Sequence, residues 1–220
     1  ALLRIPGGFA CFRPPAHAPD VTRGPANARG QVTLGSFHKL EKINQRVIET
    51  WADILSKNPE SRLLLARTEL DDWHRARLKA LFLDQGIDSD RLEMVDLAKD
   101  RRSFLHHFAE IDILLDTFPW SGHTIACIAL WMGVPVVTLH GENFAGRMVS
   151  SVLHALGLEE FVASDIREYV SIASRHCQAP GRLELLRSGL RNRFAASPLR
   201  DEARFARKFE DELLRIAQER

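Results

Sequence analysis

The chain has 220 residues, 45% of them hydrophobic, which is enough for the core of one large or two small globular domains. Its 30 Lys and Arg residues nearly balance its 29 Asp and Glu residues, which excludes a global charge favouring nucleic acid or an anionic membrane as partner. Three cysteines without metal-type spacing (Cys11, Cys127 and Cys177) predict free thiols and a cytoplasmic protein. Without an initiator Met or a signal-peptide layout, the chain is expected to be cut from something longer.

Residues 1–30 are rich in Pro and Gly and lack periodicity, which predicts a linker lying along a domain. From residue 31, short aliphatic runs alternate with amphipathic stretches. The predicted strands are 31–37, 61–67, 91–97, 111–117 and 135–139, and the predicted helices between them are 43–58, 70–86, 101–110 and 123–133. Strands that read as continuous apolar runs between helices indicate a parallel sheet covered on both faces.

After Leu139 the pattern is mostly helical, over 143–156, 166–178, 182–194 and 201–219, with one short apolar run at 161–163. The last helix is strongly charged. Its apolar residues nevertheless recur at helical spacing, at Phe205, Phe209, Leu213 and Ile216, so one face is expected to dock on the linker or on a lobe outside the chain.

The pattern predicts an α/β fold, a Rossmann-like doubly wound parallel sheet of about six strands. We divide the chain into the linker 1–30, a lobe at 31–200 and a C-terminal helix at 201–220. Ligands of such sheets bind beyond the carboxyl ends of the strands, where the strand order reverses.

Three segments fall at predicted strand ends. The first, 35–42, follows the first strand and opens the first helix, placing Lys39 and Lys42 where a helix N-terminus favours anions. From spacing alone, both lysines also fit solvated surface charges. The second, 116–124, leads into a buried helix that Ser121 or Thr124 could cap, leaving free N–H groups for a phosphate.

The third segment, 140–147, carries Glu142 and Arg147, which suit a sugar or a phosphate, or a surface pair with each other. The nine histidines lack supporting ligands at metal-type spacing, so no metal site is predicted. The motifs of α/β-hydrolases and of dinucleotide-binding folds are missing from the sequence.

Taken together, these segments resemble the C-terminal catalytic lobe of the SPINDLY-like O-linked N-acetylglucosamine transferases. The resemblance runs over essentially the whole chain, through RIPGGFACFRPP, TLGSFHKLEKIN, DILLDTFPWSGHT, ALWMGVPVVTLHGENFAGR and LHALGL. It implies the C-terminal lobe of a GT-B glycosyltransferase, which holds UDP-N-acetylglucosamine, needs no metal or other cofactor, and transfers the sugar to Ser or Thr of a protein acceptor. The N-terminal lobe, the general base and tetratricopeptide repeats would lie outside this chain.

The resemblance also assigns roles to individual residues. Lys42 matches the lysine that grips the diphosphate, and Lys39 the polar residue one turn earlier. The predicted nucleotide-sugar-binding residues are Lys39, Lys42, Ala98, Lys99, His107, Ser121, Gly122, His123, Thr124 and Glu142. Of these, Ala98 and Lys99 would lie against the uracil, with His107 at a position that is usually basic.

The sequence departs from the family pattern at three positions. Ile125 lacks the expected hydroxyl, Ile128 lacks the carboxylate that would hold the ribose, and His38 stands where Asn is typical. Loss of a hydrogen-bonding partner costs on the order of 1–3 kcal/mol of discrimination. Either another residue such as Glu142 holds the ribose, or the lobe is a catalytically silent binding or scaffolding module. The acceptor protein, the exact sugar and the oligomeric state do not follow from the sequence.

Overall fold

The computed structural model describes residue 5 and residues 8–218. The strands are β1 (Thr33–Ser36), β2 (Arg62–Arg67), β3 (Leu92–Asp96), β4 (Ile113–Leu115), β5 (Val136–Leu139) and β6 (Val162–Ala163). The helices are α1 (Pro25–Arg29), α2 (Gln45–Lys57), α3 (Asp72–Leu83), α4 (His123–Trp131), α5 (Phe144–Ala155), α6 (Ile166–Cys177), α7 (Pro180–Ala195) and α8 (Glu202–Gln218). The predicted helix at 101–110 is a 3-10 helix, Phe104–Glu110.

All six strands form one sheet in the order β3-β2-β1-β4-β5-β6, and every neighbouring pair is parallel. The predicted doubly wound α/β fold is confirmed. Strands β1 and β4 are neighbours in the middle of the sheet. From β1 the chain adds strands towards one edge, and from β4 it adds them towards the other, so the strand order reverses between these two. Chain segments that diverge there leave a crevice at the carboxyl ends of these two strands.

The core lies between the sheet and helices on both faces. Strands β1 and β4 are buried along their whole length, as expected for a sheet covered on two sides. Among the helices, α2 packs against α6, and α4 packs against α5 and α7. Trp51 and Phe194 are among the largest fully buried side chains.

Polar side chains define where several of the helices begin. Asn44 accepts a hydrogen bond from the backbone N–H of Val47 at 3.1 Å, and Asn143 accepts one from Gly146 at 2.8 Å. These N-caps satisfy amides that lack an intrahelical partner. The start of α2 is therefore fixed at Gln45, several residues after the first strand.

The predicted linker is bound closely to the domain and contains the helix α1, which the sequence pattern did not indicate. Buried Arg187 donates to the carbonyl of Thr22 at 2.7 Å and to that of Ile111 at 2.8 Å. Near the start of the described segment, the N–H of Phe12 donates to Leu199 at 2.8 Å. Part of the predicted linker, residues 1–4, 6 and 7, lies outside the described residues.

The closing helix α8 does not dock its apolar stripe on the lobe. Between Glu202 and Gln218 no side chain is buried, and Phe209 and Leu213 are exposed. Its first turn contacts the N-terminal segment through the ion pair of Arg13 with Glu202 at 2.5 Å. Docking of this stripe on a lobe outside the chain stays a prediction. Residues 219 and 220 of the predicted helix lie outside the described residues.

All three cysteines are free thiols, as predicted. Of the helices in the described part of the chain, none has the length and apolar character needed to cross a membrane.

Candidate functional site

A cleft of about 680 Å³ opens where the strand order reverses. It is lined by residues that follow β1 and β4, by the last residue of β2, by the start of α4 and by one residue of α5. The lining residues are His38, Lys39, Glu41, Lys42, Arg67, Trp120, Ser121, Gly122, His123, Thr124, Ile125 and Met148. Six of the ten residues predicted to bind the donor are therefore brought together: Lys39, Lys42, Ser121, Gly122, His123 and Thr124.

The two lysines reach the cleft by a route that differs from the predicted one. Lys42 ends a 3-10 turn, Leu40–Lys42, and Lys39 precedes it, so neither lies in the first turn of α2. Asn44 caps α2 beyond this turn and occupies the N–H of Val47, and assistance of the two lysines by that helix N-terminus stays a prediction. What the two lysines bring to the cleft is the positive charge of their ammonium groups.

Lys42 is held across the switch point. Its Nζ donates to the carbonyl of Ser121 at 3.0 Å and lies 4.8 Å from the centre of the Trp120 ring. Burial lowers the pKa of Lys42, and the nearby carboxylate of Asp116 opposes that shift. The side chain thus joins the segment after β1 to the loop before α4.

The N-terminus of α4 faces the same cleft. Gly122 occupies the N-cap position, and no side chain of the described residues caps the helix there. The predicted capping by Ser121 or Thr124 is wrong: the Ser121 hydroxyl donates to the carbonyl of Ala145 at 2.8 Å. The N–H groups of the first turn are consequently free to bind an anion, which the helix dipole favours.

A buried carboxylate that the sequence analysis did not single out fixes this loop. Asp116 accepts hydrogen bonds from the Gly122 N–H at 2.8 Å and the Thr138 hydroxyl at 2.7 Å. The Nε2 of His38 lies 3.3 Å from the same carboxylate. The available signal was an aspartate directly after a run of buried aliphatic residues, where an unpaired charge would be costly.

Burial moves the pKa values of this pair in opposite directions. It raises the pKa of Asp116 to about 6 and lowers the pKa of His38 to about 3, since each charged form loses its hydration. Lys42 and Arg67 lower the pKa of His38 further. At neutral pH an ionised carboxylate therefore faces a neutral imidazole.

Gly122 is required by the His38 ring. A Cβ at this position would overlap the Cε1 and Nδ1 atoms of His38. The imidazole thus packs directly against the backbone that begins α4, in the place where the family resemblance expected Asn. Since Asp116 accepts a hydrogen bond from the Gly122 N–H, the loop is fixed by two buried side chains.

Arg67, at the end of β2, is a further cation in the cleft that the sequence analysis missed. Its Nε and Nη2 atoms each donate to the Glu69 carboxylate at 3.1 Å. Strand-end position was the signal, but nothing in the local pattern distinguished this arginine from a surface charge.

The predicted uracil-binding residues do not line the cleft. The N–H of Ala98 donates to Asp96 at 3.0 Å, and the Lys99 ammonium lies 3.4 Å from the same carboxylate. His107 is fully buried, with its Nδ1 2.9 Å from Glu110 and its Nε2 3.5 Å from Asp100. All three residues follow β3 or precede β4, and their binding to uracil stays a prediction.

Glu142 and the two isoleucines are separated from one another. Glu142 is exposed and lines a different depression of about 400 Å³, together with Asn44 and Phe118. Ile125 and Ile128 are both partly buried against the core, and Ile125 also lines the cleft. The cleft therefore has an apolar wall where the family pattern has a hydroxyl, and Glu142 does not replace the missing carboxylate in this arrangement.

Comparison with known proteins identifies the family. The profile of glycosyl transferase family 41 matches residues 25–209. The chain belongs to glycosyl transferase family 41. It is 37% identical over 95% of its length to a probable UDP-N-acetylglucosamine–peptide N-acetylglucosaminyltransferase SPINDLY of Solanum lycopersicum, and covers 23% of that protein.

Solved structures agree with this assignment. An O-GlcNAc transferase mutant from Thermobaculum terrenum superposes with a TM-score of 0.84 at 36% identity, over 92% of this chain and 38% of that one. An Anabaena HepE protein in complex with UDP and glucose reaches a TM-score of 0.58 at 14% identity, over 86% of this chain and 50% of that one, which shows the GT-B fold alone. This family 41 chain is part of an O-GlcNAc transferase-type catalytic domain, and it spans about a quarter of the curated relatives it matches.

Proposed function

We propose that this chain binds the UDP-N-acetylglucosamine donor of a glycosyltransferase that glycosylates Ser or Thr hydroxyls of a protein acceptor. The observation that carries the proposal is the convergence of Lys42 and the uncapped N-terminus of α4 on one cleft, in a family 41 chain. The donor would be a substrate, and the remaining lobe and the acceptor would be partners of this chain.

The chemistry of sugar transfer suits these groups. When the sugar leaves, negative charge develops on the diphosphate, and groups oriented in advance stabilise that charge without reorganising. Lys42 supplies a positive charge held 3.0 Å from the Ser121 carbonyl, and the first turn of α4 supplies N–H donors. The general base and the acceptor site would belong to the rest of the enzyme, so we expect the chain alone to bind nucleotide without transferring sugar.

The first experiment is a calorimetric titration of UDP into the chain and into Lys42→Ala and Lys39→Ala. Lys42→Ala should weaken binding about ten- to a hundredfold, as for loss of a charge-assisted phosphate contact of roughly 1.5–3 kcal/mol. Lys39→Ala is the matched control, because Lys39 is exposed on the same turn and should cost under about 1 kcal/mol. Equal, small losses in two folded variants would remove Lys42 from the diphosphate site. Parallel titrations with UDP-N-acetylglucosamine, UDP-glucose and GDP-fucose identify the donor.

One observation favours the alternative of a catalytically silent binding module: Ile125 presents an apolar side chain to the cleft. Ile128→Asp, alone or with Ile125→Thr, separates the two functions. If the ribose site is only impaired, the folded variants should bind UDP more tightly than the parent chain. Because Ile128 packs against the core, a buried carboxylate there can unfold the domain first. Ile125→Thr alone, whose side chain lines the cleft, is therefore measured beside it. Unchanged or weaker binding by the folded variants supports the silent module.

A further inference from the structure

A second cavity, of about 590 Å³, adjoins the cleft on the side of α5. Its walls include the apolar side chains of Phe9, Phe144, Met148 and Val162. Met148 lines both spaces, so the cavity continues the cleft and does not lie apart from it. Phe144 is 61% exposed and stands among these other apolar side chains, and contiguous exposed apolar surface is typical of ligand or partner sites.

Aromatic rings connect this cavity to the start of α4. The Phe9 ring lies 5.1 Å from the His123 ring and 5.0 Å from the Phe144 ring, centre to centre. An apolar surface thus leads from the predicted diphosphate position to the first residue of α5. Along the sheet, β5 and β6 follow β4, so the cavity lies beyond the diphosphate end on the side away from β3.

The cavity also has a cation without an internal counterion. Arg147 is exposed at its edge and, among residue 5 and residues 8–218, forms no ion pair. The other ionisable groups nearby are engaged: His154 lies 2.9 Å from Glu159, and His140 lies 3.1 Å from the Ser150 hydroxyl. Across the cleft, by contrast, Arg67 is paired with Glu69.

Besides the Arg147 guanidinium, the largely apolar walls offer a sugar few polar partners, chiefly the hydroxyls of Ser150 and Ser151. Each hydroxyl group buried there without a partner would lose its hydrogen bonds to water. An apolar side chain would gain from the same burial, and a carboxylate beside it would pair with Arg147.

We propose that this cavity, which we name the α5 pocket (Phe9, Phe144, Arg147, Met148 and Val162), is a subsite for the acceptor polypeptide. It takes an apolar side chain of the acceptor and, next to it, an acidic residue that faces Arg147. The inference rests on the proposed function, since it places the acceptor beside a donor held by Lys42 and α4. This lobe would thereby recognise some of the acceptor residues that neighbour the modified Ser or Thr.

The experiment uses NMR of the chain labelled at its three methionine methyl groups. Met148 reports on the α5 pocket, and Met94 and Met132 are internal controls, on β3 and in the core respectively. The chain is first saturated with UDP. It is then titrated with a synthetic peptide that contains one Ser and an adjacent Phe and Asp, and separately with the same peptide carrying Lys in place of Asp.

We expect the Asp peptide to shift Met148 and to leave Met94 and Met132 in place. Phe144→Ser and Arg147→Glu should each lower the affinity for the Asp peptide by about three- to tenfold. With Arg147→Glu, the Lys peptide should bind more tightly than the Asp peptide. Because both residues are exposed, the variants should fold. Leu185→Ser and Arg167→Glu, which change exposed residues on α7 and α6, are the matched controls and should change nothing.

Three results overturn the proposal: a Met148 signal that neither peptide moves, a peptide preference that Arg147→Glu leaves unchanged, or equal losses in the control variants. A failure of the proposed donor site gives a different signature. Met148 then does not respond to UDP, while the two peptides still decide whether the α5 pocket binds them.

Discussion

The two ends of the predicted donor site differ in what holds their charged groups. At the diphosphate end, groups far apart in the sequence hold one another: Lys42 contacts Ser121, and the His38 ring packs against Gly122. At the uracil end, Lys99 is 70% exposed and pairs with Asp96, three residues away. His107 likewise faces Asp100 and Glu110 from its own segment.

This difference teaches which end is preorganised for a ligand. The diphosphate end leaves helix N–H groups and an ammonium facing one cleft, whereas at the predicted uracil end Lys99 already pairs with the carboxylate of Asp96. Uracil binding there would therefore require displacing this ion pair or moving the loop. We expect changes at the diphosphate end to have the larger effects.

The largest effect is expected for Gly122→Ala. The added methyl group would overlap the buried His38 ring, so the free energy of unfolding should fall by about 3 kcal/mol, the upper end for overpacking. Gly189→Ala, in open space on α7, is the matched control and should gain about 0.5–1 kcal/mol. Urea denaturation measures both. The double variant with His38→Ala should recover stability, and a Gly122→Ala chain as stable as the parent would show that the ring does not press on this loop.

A smaller effect is expected from the pH dependence of the buried pair. The folded-state pKa of Asp116 is about 6 against an ordinary 3.8, so the folded chain takes up this proton first and Asp116 adds stability as pH falls through that range. The pKa of His38 is about 3 in the folded chain against an ordinary 6.5, so the unfolded chain takes up this proton first. The free energy of unfolding therefore falls as the pH drops below about 6.5. Between pH 6 and 4 the two effects offset each other.

Replacing His38 should expose the contribution of Asp116. Relative to the parent chain, His38→Asn should gain stability on going from pH 6 to pH 4, by on the order of 1–2 kcal/mol. The measurement is the free energy of unfolding in urea at pH 7, 6, 5 and 4. His17→Asn changes an exposed histidine and serves as control. If the His38→Asn curve runs parallel to that of the parent, the pair does not titrate as described.

The smallest effect is expected at the uracil end. Lys99→Ala should weaken UDP by less than about 1 kcal/mol, because the ammonium is mostly exposed and already paired, and should leave pyrophosphate binding unchanged. Lys79→Ala, an exposed lysine of α3, is the control, and calorimetry with both ligands is the measurement. If Lys99→Ala lost as much pyrophosphate affinity as Lys42→Ala, the diphosphate would bind near Lys99, and our placement of it beside Lys42 would be wrong.

The sequence by itself determined the order and type of most elements, but not the helix α1 or the 3-10 character of Phe104–Glu110. Continuous apolar runs, helical periodicity and strand ends are local patterns, and a parallel sheet with short connections leaves few other arrangements. The same patterns placed Lys42 and the Ser121–Thr124 segment at strand ends, which was sufficient to predict that they meet. The family resemblance added which of these residues would face a diphosphate.

Only the tertiary structure decided how these parts fit together. The contact of Lys42 with Ser121 joins residues 79 positions apart, and the contact of His38 with Gly122 depends on the spacing of β1 and β4. Backbone geometry likewise decides three further features: the uncapped start of α4, the turn that carries the lysines, and the separation of Glu142 from the cleft. No periodicity encodes these contacts, because each arises from the register of two strands and the direction in which their loops leave the sheet.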